Sequence, residues 1–173
     1  LETIKLDGIT YEAFHTSGGI GSLVESYQNQ IQHMDYKTIR YPGHCAHMHF
    51  LLRELKLAQH PEWMCKILES AIPQTEQDVV LVYVSVMGEV DDRLVERSFA
   101  KKFHPRLLQA HHITAIQATT ASSVCAVLAW MQAQDNLPAG LLKQETIPYT
   151  EFIDNPFGAM FGSEKGDIEY DAV

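Results

Sequence analysis

The stretch "VVLVYVSVMGEVDDRLVERSFAKKF", residues 79–103, decides the fold class. Residues 78–87 are the most β-prone segment of the chain, and residues 94–103 alternate apolar and polar side chains. The sequence "GEVDDR" lies between these segments and is typical of a turn, so the stretch predicts a long antiparallel hairpin. A hairpin at this point, instead of parallel strands alternating with helices, favours an α+β fold over a doubly wound one.

Patterns on both sides of the hairpin complete the predicted architecture. Alternation predicts strands at 9–16 and 34–41, and helical spacing of apolar residues predicts helices at 44–58, about 60–72 and 111–134. A further helix, capped by Ser17 or Ser22, ends near residue 29, and residues 148–158 form a short helix or turn. We expect one α+β domain over residues 1–160, with a mainly antiparallel sheet and helices packed on one face, followed by an acidic, mobile tail at 161–173.

Composition narrows the classes of partner and compartment. The net charge is −9 and no basic stripe is present, which argues against general nucleic-acid binding. The longest apolar run, residues 79–87, is too short to cross a bilayer, and no leader is visible, so we expect no membrane partner. Three cysteines without a CxxC pair predict reduced thiols in a cytoplasmic protein. The first residue is Leu1 rather than methionine, and we expect the natural chain to begin earlier.

The glycine turn in "YEAFHTSGGIGSLVESY", residues 11–27, resembles part of a dinucleotide fingerprint. Gly19 and Gly21 fill the first two positions of G-x-G-x-x-G. Val24 stands at the third position, where close packing of helix on strand requires glycine. We therefore expect a structural or substrate-facing loop instead of a pyrophosphate site.

Two motifs, "EAFHTSGGIGSLVESY" at residues 12–27 and "MDYKTIRYPGHCAHM" at 34–48, closely resemble the saccharopine dehydrogenase family. That family includes saccharopine dehydrogenases or reductases, lysine 6-dehydrogenases and carboxynorspermidine dehydrogenases. The segments "HITAIQATTASSVCAVLAWM" and "GLLKQETIP" lie where the family has comparable elements, and the resemblance extends over residues 1–160. It implies the α+β catalytic and dimerisation domain that accompanies an N-terminal Rossmann domain, which is absent from this chain.

The resemblance also implies a function. The intact protein would be an NAD(P)-dependent oxidoreductase that transfers hydride at a carbon–nitrogen bond of an amino acid or opine-like substrate, in lysine, saccharopine or polyamine metabolism. Its own N-terminal Rossmann domain would bind most of the NAD or NADP, and the protein would be a homodimer. The isolated chain is then expected to be inactive. The alternative is a non-catalytic domain that dimerises or senses a metabolite; the exact substrate and the choice between NAD and NADP stay open.

The second motif supplies three candidate substrate-binding residues. By resemblance Arg40 faces the substrate, and a guanidinium can bind a carboxylate through two parallel hydrogen bonds. The alternative is a surface arginine paired with an acidic neighbour. Tyr41, next to it, is either a substrate hydrogen-bonder or a core aromatic with a solvated hydroxyl. Gly43 in the same motif is the third candidate.

The glycine turn supplies the other substrate-binding candidates, Thr16, Ser17, Gly18 and Gly19. Their hydroxyls and backbone N–H groups precede a helix, which suits an anion. The alternative is a capped turn in which the glycines take positive φ angles.

Histidines at the start of the predicted helix at 44–58 are the candidates for proton transfer. His44 could assist as an imine forms or hydrolyses, with His47 a weaker candidate, or His44 could pack into the apolar face of the helix. A metal site is not expected: His49 points about 160° away from His47 on a helix, and His111 and His112 would diverge on the later helix.

Overall fold

The computed structural model describes residues 1–16, 18–162 and 170–171, and the chain divides into two units, Leu1–Thr75 and Glu76–Val173. Every described strand pair is antiparallel. The predicted α+β class with antiparallel strands is therefore confirmed, although the described strands form three small sheets instead of one. Within the described ranges, every helix is too short or too polar to span a bilayer.

The first unit is built on a three-stranded sheet in the order β1-β2-β3. Its strands are β1 (Glu2–Leu6), β2 (Ile9–His15) and β3 (Lys37–Arg40). The sequence analysis missed β1, although the turn that joins it to β2 has a clear signal. Asp7 and Gly8 have φ angles of 51° and 75°, and a two-residue hairpin turn of this kind favours Asp-Gly.

Two helices of the first unit are shorter than predicted, whereas the helix predicted at about 60–72 is confirmed as α3. The helix after the glycine turn, α1 (Leu23–Ser26), is a single turn. The predicted helix at 44–58 begins as α2 (His44–His49) and then widens into a π-turn, in which the N–H of Leu55 donates to the carbonyl of Phe50 at 2.9 Å. After a 3-10 turn, α3 (Pro61–Ala71) begins at its proline, which needs no N–H partner at that position.

The long hairpin of the second unit is confirmed. Strands β4 (Val80–Val90) and β5 (Arg93–Phe103) pair along their full lengths. The predicted turn is too long, because residues 88–90 belong to β4. Only Asp91 and Asp92 turn the chain, at φ angles of 52° and 59°, which a two-residue turn of this hand requires.

The predicted helix at 111–134 begins too early. Residues 111–113 form β7 (His111–Ile113), which pairs with β6 (Arg106–Leu108). Thr114 is extended and caps α4 (Ala115–Gln132), so the helix starts after it. His111 and His112 therefore lie on a strand, where successive side chains point to opposite faces, and their predicted helical placement is wrong.

The remaining described elements are α5 (Tyr149–Asp154), two 3-10 turns at Gln144–Thr146 and Ala159–Phe161, and β8 (Tyr170–Asp171), which pairs with β5. Most of the predicted mobile tail lies outside the described residues. The core of each unit is small, and its buried hydrophobic residues are Tyr11, Ala13, Leu57 and Met64 in the first unit and Phe103, Ala115, Ala118 and Ala126 in the second.

Candidate functional site

One face of the first sheet brings several predicted site residues together. The strand register places Glu12 opposite Arg40 and Phe14 opposite Thr38. Because alternate residues of a strand share a face, these four side chains project from the same side of the sheet. Thr16 joins them, since its hydroxyl oxygen lies 2.8 Å from that of Thr38.

Glu12 on this face caps helix α2. The N–H of Gly43 donates to Oε1 of Glu12 at 2.6 Å, and the N–H of Cys45 donates to Oε2 at 3.0 Å. The bond from Cys45 and then the bond from Gly43 lower the pKa of Glu12 below its ordinary value of 4.5. Gly43 was predicted as a substrate-binding residue, and its backbone N–H is thus already bonded to a carboxylate of the same chain.

Arg40 is left without a carboxylate partner among the described residues. Its exposed guanidinium donates from Nη1 to the carbonyl of Ile39 at 2.9 Å. Glu12 lies directly across the strand pair, but both of its oxygens accept bonds from α2. A guanidinium has five N–H donors, so Arg40 keeps several that a ligand carboxylate can accept.

His44 and Tyr41 lie on different sides of the sheet. The half-buried ring of His44 stacks on Phe14, with ring centroids 5.9 Å apart and an interplanar angle of 13°. This contact places His44 over the face that carries Arg40. The ring of Tyr41 lies 5.5 Å from that of Tyr11, which projects from the opposite face, and Tyr41 is 60% exposed.

The glycine turn lines a pocket of about 460 Å³. Thr16, Gly18 and Gly19 contribute to it, as predicted candidates, together with Asp35 and Tyr36, which the sequence analysis missed. Gly18 has a φ angle of 90°, and a Cβ on Gly19 would overlap the ring of Tyr36. The turn therefore has a structural requirement for both glycines as well as a pocket.

Ser17 and Asp35 are polar residues at or beside the glycine turn. Ser17, also a predicted site residue, lies outside the described residues. Asp35 on the pocket wall is paired with Lys37 at 3.2 Å. Lys37 donates from Nζ to Glu2 as well as to Asp35, and these two bonds, the one to Glu2 first, raise the pKa of Lys37. This lysine is therefore paired with two carboxylates of the chain.

A larger groove in the second unit, of about 580 Å³, contains none of the predicted site residues. Its lining is mostly apolar, and none of the described residues that line it is charged. Such a surface suits an apolar partner better than a carboxylate. In the described ranges no group of three or more His, Cys, Asp and Glu side chains could hold a metal ion.

No family model matches the chain, and no solved structure matches it. The resemblance of residues 12–27 and 34–48 to the saccharopine dehydrogenase family therefore stays a prediction. Support for a function comes from these motifs and from the geometry around Arg40 and the glycine turn.

Proposed function

We propose that the chain is the substrate-binding and dimerisation domain of an NAD(P)-dependent, saccharopine-dehydrogenase-like oxidoreductase. The enzyme would act in the cytoplasm on carbon–nitrogen bonds of amino acids, in lysine, saccharopine or polyamine metabolism, as a homodimer. The observation that carries the proposal is the guanidinium of Arg40, which has no carboxylate partner among the described residues although Glu12 lies directly opposite.

The arrangement of Glu12 explains how Arg40 stays available. An arginine and a glutamate opposite each other on a sheet normally form an ion pair. Here the N–H groups of Gly43, just before α2, and of Cys45, in its first turn, donate to the two oxygens of Glu12 instead. A substrate carboxylate can then bind Arg40 bidentately without displacing a residue of the protein.

The other candidate residues supply positioning and proton transfer in this proposal. The hydroxyls of Thr16 and Thr38, 2.8 Å apart, lie on the same face as Arg40 and can hydrogen-bond a polar substrate group. His44, stacked on Phe14, would hold or release the proton at the substrate nitrogen. Positioning of this kind contributes a large part of the rate of a transfer reaction.

The glycine turn does not fit NAD or NADP. Val24 occupies the third position of the fingerprint, and α1 is a single turn that leads into the antiparallel strand β3. A dinucleotide fingerprint needs a helix followed by a parallel strand. We therefore assign no cofactor-binding residue in this chain and place that role in an N-terminal Rossmann domain of the intact protein.

The test uses a protein in which a Rossmann domain precedes this chain. NAD(P)H absorbance would be followed with saccharopine, lysine and the carboxynorspermidine-forming pair as substrates. Arg40→Ala should lower kcat/KM about 100-fold, because two charge-assisted hydrogen bonds of about 1.5 kcal/mol each are lost. Arg53→Ala, which removes another exposed arginine of the same unit, should leave kcat/KM unchanged.

The outcomes separate the enzyme from its alternative. Equal loss in both variants would show that Arg40 has no specific role. Absence of turnover with all these substrates, by a folded protein that binds cofactor, would favour the non-catalytic sensing or dimerisation domain.

A further inference from the structure

A single carboxylate holds the backbone on both sides of His44. Glu12 on β2 accepts from the N–H of Gly43 at 2.6 Å and from the N–H of Cys45 at 3.0 Å. These are the residues directly before and after His44. The N–H of His44 itself donates to the carbonyl of Tyr41 at 3.3 Å. Three consecutive N–H groups therefore have acceptors outside α2, and Glu12 provides two of these acceptors.

The bond from Gly43 depends on the backbone conformation of that residue. Gly43 has a φ angle of 96°, which residues with a side chain rarely adopt. A Cβ at this position would lie 3.4 Å from Cε1 of His47. The turn that presents the N–H of Gly43 to Glu12 therefore requires glycine, for a reason that involves no substrate.

The ring of His44 is held by the same strand as its backbone. It stacks on Phe14, with ring centroids 5.9 Å apart and an interplanar angle of 13°. Glu12 and Phe14 are alternate residues of β2, so their side chains project from the same face of the sheet. Strand β2 thus fixes both the backbone and the ring of His44 over the face that carries Arg40.

We propose that Glu12 is the positioning residue of this site. It holds His44 over the sheet face and, because both of its oxygens accept bonds from the start of α2, leaves Arg40 available for the substrate carboxylate. In the proposed reaction the imidazole must reach the substrate nitrogen while Arg40 binds the carboxylate, and a displacement of about 1 Å can lower the rate about 100-fold. The effect of Glu12 on the rate rests on the proposed function, whereas its hold on His44 is a property of this chain alone.

NMR of the 173-residue chain, without substrate, measures the position of His44. The ring current of a stacked aromatic neighbour displaces the resonances of imidazole protons, and His44→Gln assigns those of His44 among the nine histidines. In Glu12→Ala, which removes both acceptors, the His44 resonances should move toward their unfolded values. Spectra at about pH 9, where an ordinary imidazole is neutral, exclude a change of protonation as the cause. Glu69→Ala removes an exposed glutamate of α3 and should leave the resonances unchanged.

Two further variants cover the case in which Glu12→Ala fails to fold. Glu12→Gln keeps the shape of the side chain, but an amide has one acceptor oxygen, so one of the two N–H groups loses its partner. Gly43→Ala keeps the carboxylate and strains the turn. Both should move the His44 resonances in the same direction as Glu12→Ala. Gly8→Ala strains the β1–β2 turn, at a φ angle of 75°, and should destabilise the unit without moving these resonances.

Kinetic constants of the protein with a preceding Rossmann domain separate the role of Glu12 from that of Arg40. Glu12→Gln should lower kcat at least about tenfold, because the imidazole is misplaced. It should not raise KM, since Arg40 still binds the carboxylate and a neighbouring negative charge is removed. Arg40→Ala should raise KM, because it removes a group that binds the substrate itself.

The outcomes judge the positioning role and the proposed function separately. His44 resonances that stay unchanged in folded Glu12→Ala and Glu12→Gln would overturn the proposal for Glu12. A raised KM with an unchanged kcat in Glu12→Gln, or the same displacement of the resonances in Gly8→Ala, would overturn it as well. Absence of turnover by the wild type would contradict the proposed function, whereas the resonances of His44, which need no substrate, would still decide whether Glu12 positions this residue.

Discussion

Replacement of Asp78 by alanine should destabilise the second unit, because this side chain holds the start of α4. Its Oδ1 accepts from the N–H of Ala115 at 2.6 Å, and its Oδ2 accepts from the N–H of Ile116 at 2.8 Å. The next N–H group, on Gln117, is bonded to the hydroxyl of Thr114. The first four N–H groups of a helix have no partner within the helix, and Asp78→Ala removes the side-chain partner of two of them. The reciprocal hydrogen bonds between Thr114 and Gln117 at the same helix start stay intact.

The size of the loss follows from these bonds. Removal of a helix cap costs about 1 kcal/mol, and loss of a negative charge at a helix start costs about 0.5 kcal/mol. Ala115 is fully buried, so its N–H group would have neither Asp78 nor water as a hydrogen-bond acceptor. In total, Asp78→Ala should lower the free energy of unfolding by about 2 kcal/mol. With a urea dependence of about 2 kcal/mol per molar, the unfolding midpoint should fall by about 1 M.

Tryptophan fluorescence can report this change for the second unit alone. The chain has two tryptophans, Trp63 on α3 and Trp130 on α4, so the background variant Trp63→Phe leaves only the one on α4. Asp135→Ala, which removes an exposed aspartate beyond the end of α4, is the control and should not lower the midpoint. The reasoning is refuted if Asp78→Ala unfolds at the same urea concentration as this control.

The pH dependence gives the same prediction a second readout. Burial alone would raise the pKa of Asp78, but the N–H groups of Ile116 and Ala115 outweigh it and lower this pKa below 3.8. A carboxyl group whose pKa is lower in the folded state than in the unfolded state stabilises the folded state at pH values above its unfolded-state pKa. This stabilisation is lost as the pH falls through its folded-state pKa. The difference in midpoint between wild type and Asp78→Ala should therefore stay constant above about pH 5 and shrink below 3.8.

Three further predictions concern the first unit. Gly19→Ala should lower the free energy of unfolding, measured in urea, by about 1–3 kcal/mol, because the new Cβ overlaps the ring of Tyr36. If the losses of Gly19→Ala and Tyr36→Ala simply add in the double variant, this clash is excluded as the cause. Glu12→Gln should lower the urea midpoint at neutral pH, and the difference from wild type should close as pH falls below 4.5, since the bonds from the N–H groups of Cys45 and Gly43 lower the pKa of Glu12. Iodoacetamide should modify exposed Cys65 before Cys45, because burial first and then Glu12 raise the pKa of the Cys45 thiol; equal rates, measured by mass spectrometry, would contradict this.

The long β4–β5 hairpin was the most predictable part of the fold. Residues 78–87 are strongly β-prone, residues 94–103 alternate, and a turn signal lies between them, so both strands followed from local sequence. The exact turn did not, because Gly88 looks like a turn residue and yet lies within β4. Helix lengths were less predictable: the apolar spacing of residues 44–58 fits a continuous helix, whereas the backbone hydrogen bonding changes to that of a π-turn at Phe50.

The candidate site was predictable in its residue types and not in its pairings. The motifs named Thr16, Arg40 and His44. The register places Arg40 on one face of the sheet, and the contacts of Thr16 with Thr38 and of His44 with Phe14 bring the other two to the same face. Nothing in the spacing indicated that Glu12 would bond to the start of α2. Residues 12 and 43 are distant in sequence, and only the packing of the helix over the sheet brings them together.

By itself, the sequence determined the α+β class, the antiparallel hairpin and the residue types that can bind a carboxylate. Those properties depend on side-chain periodicity and turn chemistry, which act over a few neighbouring residues. Tertiary structure decided which charged groups pair and which stay available. Glu12 bonds to Gly43 and Cys45 while Arg40 keeps free donors, because partners in a folded chain are chosen by distance in space and not by distance along the sequence.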